Sequence, residues 1–197
     1  RDHNYPTTET VELKKQICYI GRLDIYQKGL DLAMEAYSIF RKNTSADFVL
    51  IGKHTINQVM EFNKVLQAND LQNCNSIRLT GLISEDEKAA ILSKSYVYFQ
   101  LSRFEGFGLS VVEALSFGKP VIISADIPIS HIIANHKAGL VVSGVEDAVR
   151  ALAEVWNLTT DEYSALCNRA RGCFEAEFHP SVAKAKILKM YAYAAVK

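Results

Sequence analysis

The chain is poor in most of the features that mark a specialised protein class. Its 197 residues contain no apolar run near the roughly 18 residues that a membrane-crossing helix needs. The opening Arg1-Asp2-His3-Asn4-Tyr5-Pro6 is polar. Neither sign of charge is in excess, with 22 basic against 22 acidic side chains, so no global field would hold nucleic acid or an anionic bilayer. Cysteine is sparse. Cys18, Cys74, Cys167 and Cys173 show no C-x-x-C spacing, and Cys18 lies in an apolar run, as expected of reduced thiols in a cytoplasmic protein. The five histidines lack metal-ligand spacing, which argues against a zinc site. There is no Walker A loop, no G-x-G-x-x-G and no nucleophile elbow, so the usual sequences of P-loop, dinucleotide and serine-hydrolase chemistry are missing. With only four prolines, no low-complexity stretch and no internal repeat, nothing divides the chain.

What is present is a regular alternation of strand and helix. About half the residues are apolar (49%) and 22% charged, ordinary for one soluble domain that can bury a core. Short apolar runs at 16–20, 47–51, 76–80, 96–101, 119–123 and 139–142 read as six strands. Helical spacing occupies 27–42, through Leu30, Met34, Tyr37 and Phe40, and 55–69, through Val59, Phe62 and Leu66. A further helix runs over 109–117, while Ser84 with Glu87 forms a capping box for one that ends near Lys94. Ser143 with Glu146 and Thr159 with Glu162 predict two more capped starts, and Pro180 opens a last helix. Continuous apolar strands joined by helices imply a parallel sheet covered on both faces. The expected fold is α/β, a Rossmann-like parallel sheet of about six strands, with the core at 16–145 and a helical tail over 146–197.

In such a sheet ligands bind beyond the carboxyl ends of the strands. Gly21-Arg22, Gly52-Lys53, Gly81 and Glu105-Gly106 each follow a strand and so converge on that edge. The densest stretch is Phe104-Glu105-Gly106-Phe107-Gly108-Leu109-Ser110-Val111-Val112-Glu113. Bare glycine backbone lets a phosphate approach main-chain amides, and a helix starting there adds its unpaired N–H groups and positive dipole end. Arg22 supplies a planar fork of donors suited to a diphosphate, and Lys28 a mobile point charge. Glu113, between Val112 and Ala114, is an expensive place for an unpaired carboxylate. Tyr96 and Tyr98 alternate along a strand and read as packing residues.

Glu105 and Glu113, with seven residues between them, resemble the paired-glutamate motif of the retaining, family-four (group 1) glycosyltransferases of the GT-B fold. Tyr19-Ile20-Gly21-Arg22, Lys28-Gly29, Val49-Leu50-Ile51-Gly52, Ile77-Arg78-Leu79-Thr80-Gly81 and Ala138-Gly139-Leu140-Val141 resemble the same family in the same order, from 16 to about 145. The resemblance implies a nucleoside diphosphate sugar as donor. It implies that Arg22 and Lys28 bind the diphosphate beside Gly21, that Glu105 faces the donor sugar, and that Glu113 holds the ribose. Gly106, Phe107, Gly108 and Leu109 would then give backbone donors to phosphate and sugar. No metal is implied, and no Asp-x-Asp occurs.

The resemblance further implies that the chain is the C-terminal, donor-binding half of a longer enzyme. Residues 1–15 would be a linker remnant, and an N-terminal domain would carry the acceptor site. The product would be a polysaccharide or glycoconjugate, and any contact with the inner membrane would come through the full enzyme. The segment Pro180–Lys197, with Lys184, Lys186 and Lys189, reads as a core-packed helix, as a basic amphipathic helix lying on a membrane or, by the resemblance, as one crossing to the other domain. Two departures stand out: His131 occupies the position of a family glutamate, and Leu101-Ser102 replaces the common Pro-Ser. Alternative readings are a non-catalytic nucleotide-binding or scaffold module and a GT-B-type nucleotide-sugar epimerase.

Overall fold

A computed structural model describes residues 14–182 and 184. The expected linker remnant up to residue 13 and the remainder of the basic tail lie outside the described residues. Six strands form one all-parallel sheet: β1 (Gln16–Ile20), β2 (Asp47–Ile51), β3 (Ile77–Leu79), β4 (Val97–Gln100), β5 (Val121–Ser124) and β6 (Gly139–Val142). Their order is β3-β2-β1-β4-β5-β6. The connecting helices are α1 (Leu30–Phe40), α2 (Ile56–Ala68), α3 (Glu85–Lys94), α4 (Leu109–Ser116) and α5 (Ser130–His136). Two more, α6 (Val145–Trp156) and α7 (Thr160–Cys173), follow the sheet. The Rossmann-like expectation is met.

Strand alternation produces two cores from one sheet. Ile17, Tyr19, Phe48, Leu50, Val97 and Phe99 point to one face, where Leu30, Met34 and Tyr37 of α1, Phe62 of α2 and Leu152 of α6 cover them. Cys18, Val49, Ile51, Tyr98, Val121 and Ile123 point to the other, beneath Leu92 of α3, Val111 and Leu115 of α4 and Ile133 of α5. α7 closes the edge of both, its Leu166 facing the first core and its Cys173 the second. Tyr98 is wholly buried and Tyr96 stacks on Tyr163 with ring centroids 4.0 Å apart, so both serve packing as expected. All four cysteines are free thiols, and burial pushes that of Cys18 up to about 12.

The capping boxes at Ser84–Glu87 and Thr159–Glu162 are formed, and Thr55 with Gln58 adds a third. The one expected at Ser143–Glu146 is not. Gly144, at φ 102°, takes the N-cap position, which shifts the frame by one residue. Asp147 rather than Glu146 then accepts a backbone bond, from Ser143 N at 3.0 Å. Between β5 and β6, where no helix is expected from the sequence, the chain enters α5. Ile129, Ile132 and Ile133 carry the three-and-four spacing that marks one apolar helix face. A short π-helical stretch, Phe174–Phe178, ends α7 before a new helical turn starts at Pro180. No helix among the described residues is long and apolar enough to cross a membrane.

Candidate donor site at the carboxyl edge of the sheet

The strand order reverses between β1 and β4, which are paired neighbours at the centre of the sheet. Crossovers leave these two strands to opposite sides, so their carboxyl ends open a crevice. The rim of that crevice is built from glycines. Gly21 N–H donates to Ile51 O at 2.9 Å and Gly52 N–H to Gly81 O at 3.2 Å, carrying the ladder past the strand ends. A Cβ on Gly52 would run into the Gly21 carbonyl, so the close approach of these two turns requires glycine.

The loop after β1 presents the cations. Asp24 Oδ1 accepts from Gln27 N (2.9 Å) and Asp24 O from Lys28 N (3.1 Å), folding residues 24–28 into a tight turn. Gly29 follows at φ 59° as the N-cap of α1. The helix therefore begins at Leu30 rather than at 27, which leaves Lys28 on the turn and free to reach across the crevice. Its Nζ lies 2.5 Å from Glu105 Oε1. Arg22 is exposed and leans on Gln27 Oε1 at 2.8 Å, keeping its guanidinium at the mouth.

The loop after β4 answers from the other side. Glu105 Oε1 accepts from Lys28, from Gln100 Nε2 (2.5 Å) and from Ser102 Oγ (2.9 Å). Next come Gly106, exposed with open space around its Cα, and Phe107, whose edge meets Phe178 at 6.1 Å between centroids. Gly108, at φ 101°, turns the chain into α4, and no side chain caps that helix. Its first amides therefore face the crevice without a side-chain cap among the described residues, an anion-binding geometry when set beside Arg22 and Lys28. Glu113 stands apart from this group. Lys88 of α3 meets its Oε1 at 2.7 Å and also holds Glu85 at 2.8 Å. The cost expected for a lone carboxylate at that position is thus offset by a partner that sequence reasoning did not find.

A second latch ties the two loops. Arg103 bonds Asp31 through both guanidinium nitrogens (2.8 and 2.7 Å), donates to Tyr26 O at 2.8 Å and lies over the Tyr26 ring. Partial burial works to raise the Asp31 pKa, but the hydrogen bonds from Arg103 and from the Leu32 and Asp31 backbone amides, with the Arg103 charge, together outweigh it and hold the carboxyl below its ordinary value. A depressed folded-state pKa contributes stability that is present above the unfolded value of about 3.9 and is lost as pH falls through the folded value. Arg103→Leu should accordingly be destabilising at pH 7, with the difference from the parent narrowing toward the acid end of a urea-unfolding series to what the Tyr26 contacts contribute.

Residues 4–171 match the family model described as glycosyl transferases group 1. The chain belongs to that family. Alpha-monoglucosyldiacylglycerol synthase of Streptococcus pneumoniae is 24% identical over 150 residues, 75% of this chain and 33% of that protein. The chain thus spans about a third of that relative's length. Among solved structures, a TarM variant of S. aureus bound to fondaparinux, alpha-GlcNAc-glycerol and UDP superposes with a TM-score of 0.79 at 20% identity. That match covers 95% of this chain and 37% of the other. The C-terminal domain of a group 1 glycosyl transferase, LpcC of Francisella tularensis, superposes at 0.74 with 19% identity, over 86% of this chain and 89% of that domain. The fold of this group 1 chain is therefore that of a GT-B C-terminal domain.

In this group 1 family member the structure brings Gly21, Arg22, Lys28, Glu105 and the Gly106–Leu109 turn to one edge and puts Glu113 further along α4. It places Lys28 against Glu105, and adds Gln100, Ser102, Arg103 and Lys88 as residues that hold the others. Gln100 carried a signal, being a polar residue inside the apolar run Val97-Tyr98-Phe99-Gln100-Leu101. Lys88 carried none, because a lysine four residues past a helix cap looks like any solvated one. His131 is exposed on α5.

Proposed function

We propose that this chain is the donor-binding domain of a retaining glycosyltransferase that moves a sugar from a nucleoside diphosphate sugar to a polysaccharide or glycoconjugate acceptor. The observation that carries the reading is the meeting of Lys28 and Glu105 at the switch point, beside Arg22 and the uncapped start of α4. Transfer breaks the bond from the anomeric carbon to the diphosphate, forms one to an acceptor oxygen and releases the acceptor's proton. Negative charge gathers on the leaving diphosphate, so cations and amides fixed at that point favour the transition state over the ground state. Arg22, Lys28 and the amides of Gly106–Leu109 take that part, and no metal ion is required for it. Glu105 faces the sugar. Glu113, with Oε1 held by Lys88, offers its other oxygen to the ribose hydroxyls.

The acceptor comes from a second, N-terminal domain of a cytoplasmic enzyme. The span of about a third of the S. pneumoniae relative supports this, as does the near-complete match to an isolated C-terminal domain. Holding donor and acceptor in attack geometry needs both halves. Calorimetry on this chain in chelator, with the diphosphates of uridine, guanosine and adenosine, tests the reading. Saturable binding of one of them is expected, weakened at least tenfold in the Arg22→Ala, Glu113→Ala double variant. Failure of all three to bind would overturn the reading.

A further inference from the structure

A completely buried polar side chain in the middle of a parallel sheet needs a reason, and Gln100 is such a residue, with no exposed surface. Every hydrogen-bonding position of its amide is used. Its Oε1 accepts from Tyr98 Oη at 2.6 Å and from Ser110 Oγ at 3.1 Å. Its Nε2 donates to Ser102 Oγ at 2.8 Å and to Glu105 Oε1 at 2.5 Å. The single Tyr98 hydroxyl proton goes to the nearer Gln100 Oε1, and Tyr98 Oη also lies 3.3 Å from the carbonyl of Ile20, the last residue of β1. Ser110 is the second residue of α4. One amide thus touches Tyr98 of its own strand, the serine and glutamate of the following loop, and the first turn of the helix whose amides face the crevice, and Tyr98 in turn lies against the end of β1.

We infer that Gln100 is a positioning residue for the donor site. It aims the Glu105 carboxylate and sets the first turn of α4 relative to it; this rests on the donor-site reading above. The chemistry favours an amide over any other side chain of that size. Glu105 Oε1 requires donors, whereas the Ser110 and Tyr98 hydroxyls donate toward the other end, and an amide supplies donor and acceptor from one planar group without titrating. Such a fully satisfied network fixes geometry more strictly than apolar packing, because any other arrangement leaves a buried group unpaired. Lys28 completes the set from across the crevice. Glu105 is thereby held by two groups of its own side of the crevice and one of the other.

The inference separates Gln100 from a residue that merely fills space. Gln100→Leu keeps the volume and removes both arms of the amide; Gln100→Glu keeps the acceptor for Tyr98 and Ser110 and replaces the donor to Glu105 by a second carboxylate. Crystal structures of both variants give a readout that needs no ligand: Glu105 should leave hydrogen-bond distance of Ser102 or Lys28. Calorimetry on the same proteins gives the second readout. With the base that the parent binds, affinity for the intact nucleotide sugar should fall about tenfold or more in Gln100→Glu. Affinity for the bare nucleoside diphosphate should not fall, because the sugar and not the diphosphate faces Glu105. If Glu105 keeps its place in both variants, or both ligands weaken equally, the positioning role is overturned. Displacement of Glu105 in a chain that binds neither ligand would uphold the positioning and overturn the donor-site reading instead. A variant that does not crystallise is read through the selective loss of sugar affinity, with a thermal melt confirming that it is folded.

Discussion

Replacing Lys28 by alanine should lower turnover of the complete enzyme by about 100- to 1,000-fold, the scale on which loss of one preorganised charge-stabilising group is felt. It should also weaken folding, and for a separate reason. Lys28 and Glu105 are only 12% and 11% exposed, so removing the cation strands a largely buried carboxylate. Removing one member of a buried pair typically costs about 3–5 kcal/mol. Here Gln100 and Ser102 still donate to Glu105, so about 1–3 kcal/mol is expected from urea unfolding at pH 7. The two effects can be pulled apart. Lys28→Ala combined with Glu105→Gln should recover most of the stability, because no charge is left unpaired, and none of the turnover. Glu105→Gln alone should move binding and catalysis in opposite directions. A lysine released from its carboxylate should bind nucleoside diphosphate several-fold tighter by calorimetry while transfer collapses. Equal losses of binding in both single variants would show that the pair is only structural.

The second large effect is expected at Gly29, the residue between Lys28 and α1. Its φ of 59° is left-handed, and a Cβ there would overlap the Leu101 carbonyl. Left-handed backbone costs an ordinary residue about 1–2 kcal/mol. Displacing the β4–α4 loop to relieve the overlap costs about 1–3 kcal/mol more. Gly29→Ala should therefore lose about 2–5 kcal/mol, and at about 2–4 °C per kcal/mol for a chain of this length the melting temperature should drop by roughly 5–20 °C. Gly172→Ala is the internal control. Gly172 lies within α7 with no atom near its missing Cβ, so the same change there should raise stability by about 0.5–1 kcal/mol. A Gly29→Ala melt indistinguishable from the parent would mean that the turn carrying Lys28 is not held as described. Because Leu101 sits between β4 and Glu105, the destabilised variant should lose donor binding as well.

How much of this was legible beforehand differs from element to element. The strand runs were readable because β1, β2, β4 and β5 are buried on both faces, and short continuous apolar stretches between polar or turn residues have few other uses. Two capping boxes were readable because Ser84–Glu87 and Thr159–Glu162 act within four residues. The frame shift at Gly144 was not, since glycine can adopt the φ that moves a helix start by one residue while a serine beside it suggests the earlier start. α5 was not readable because its seven residues make only about two turns, too few for the spacing of Ile129, Ile132 and Ile133 to stand out.

The local sequence was thus sufficient for the α/β class, for the glycine turns at the strand ends and for Arg22, Lys28, Glu105 and Glu113 as the residues of interest. These depend on backbone freedom and on periodicities spanning only a few positions. What tertiary structure alone decided is who meets whom. Lys28 and Glu105 are 77 residues apart, and Arg103 and Asp31 are 72 apart. Lys88 reaches Glu113 from a different helix. Each contact exists because β4 inserts beside β1 instead of beside β3, bringing the loops after those two strands to one edge. That choice is made by two cores packed on opposite faces of one sheet, a property of the whole chain that no window of its residues contains.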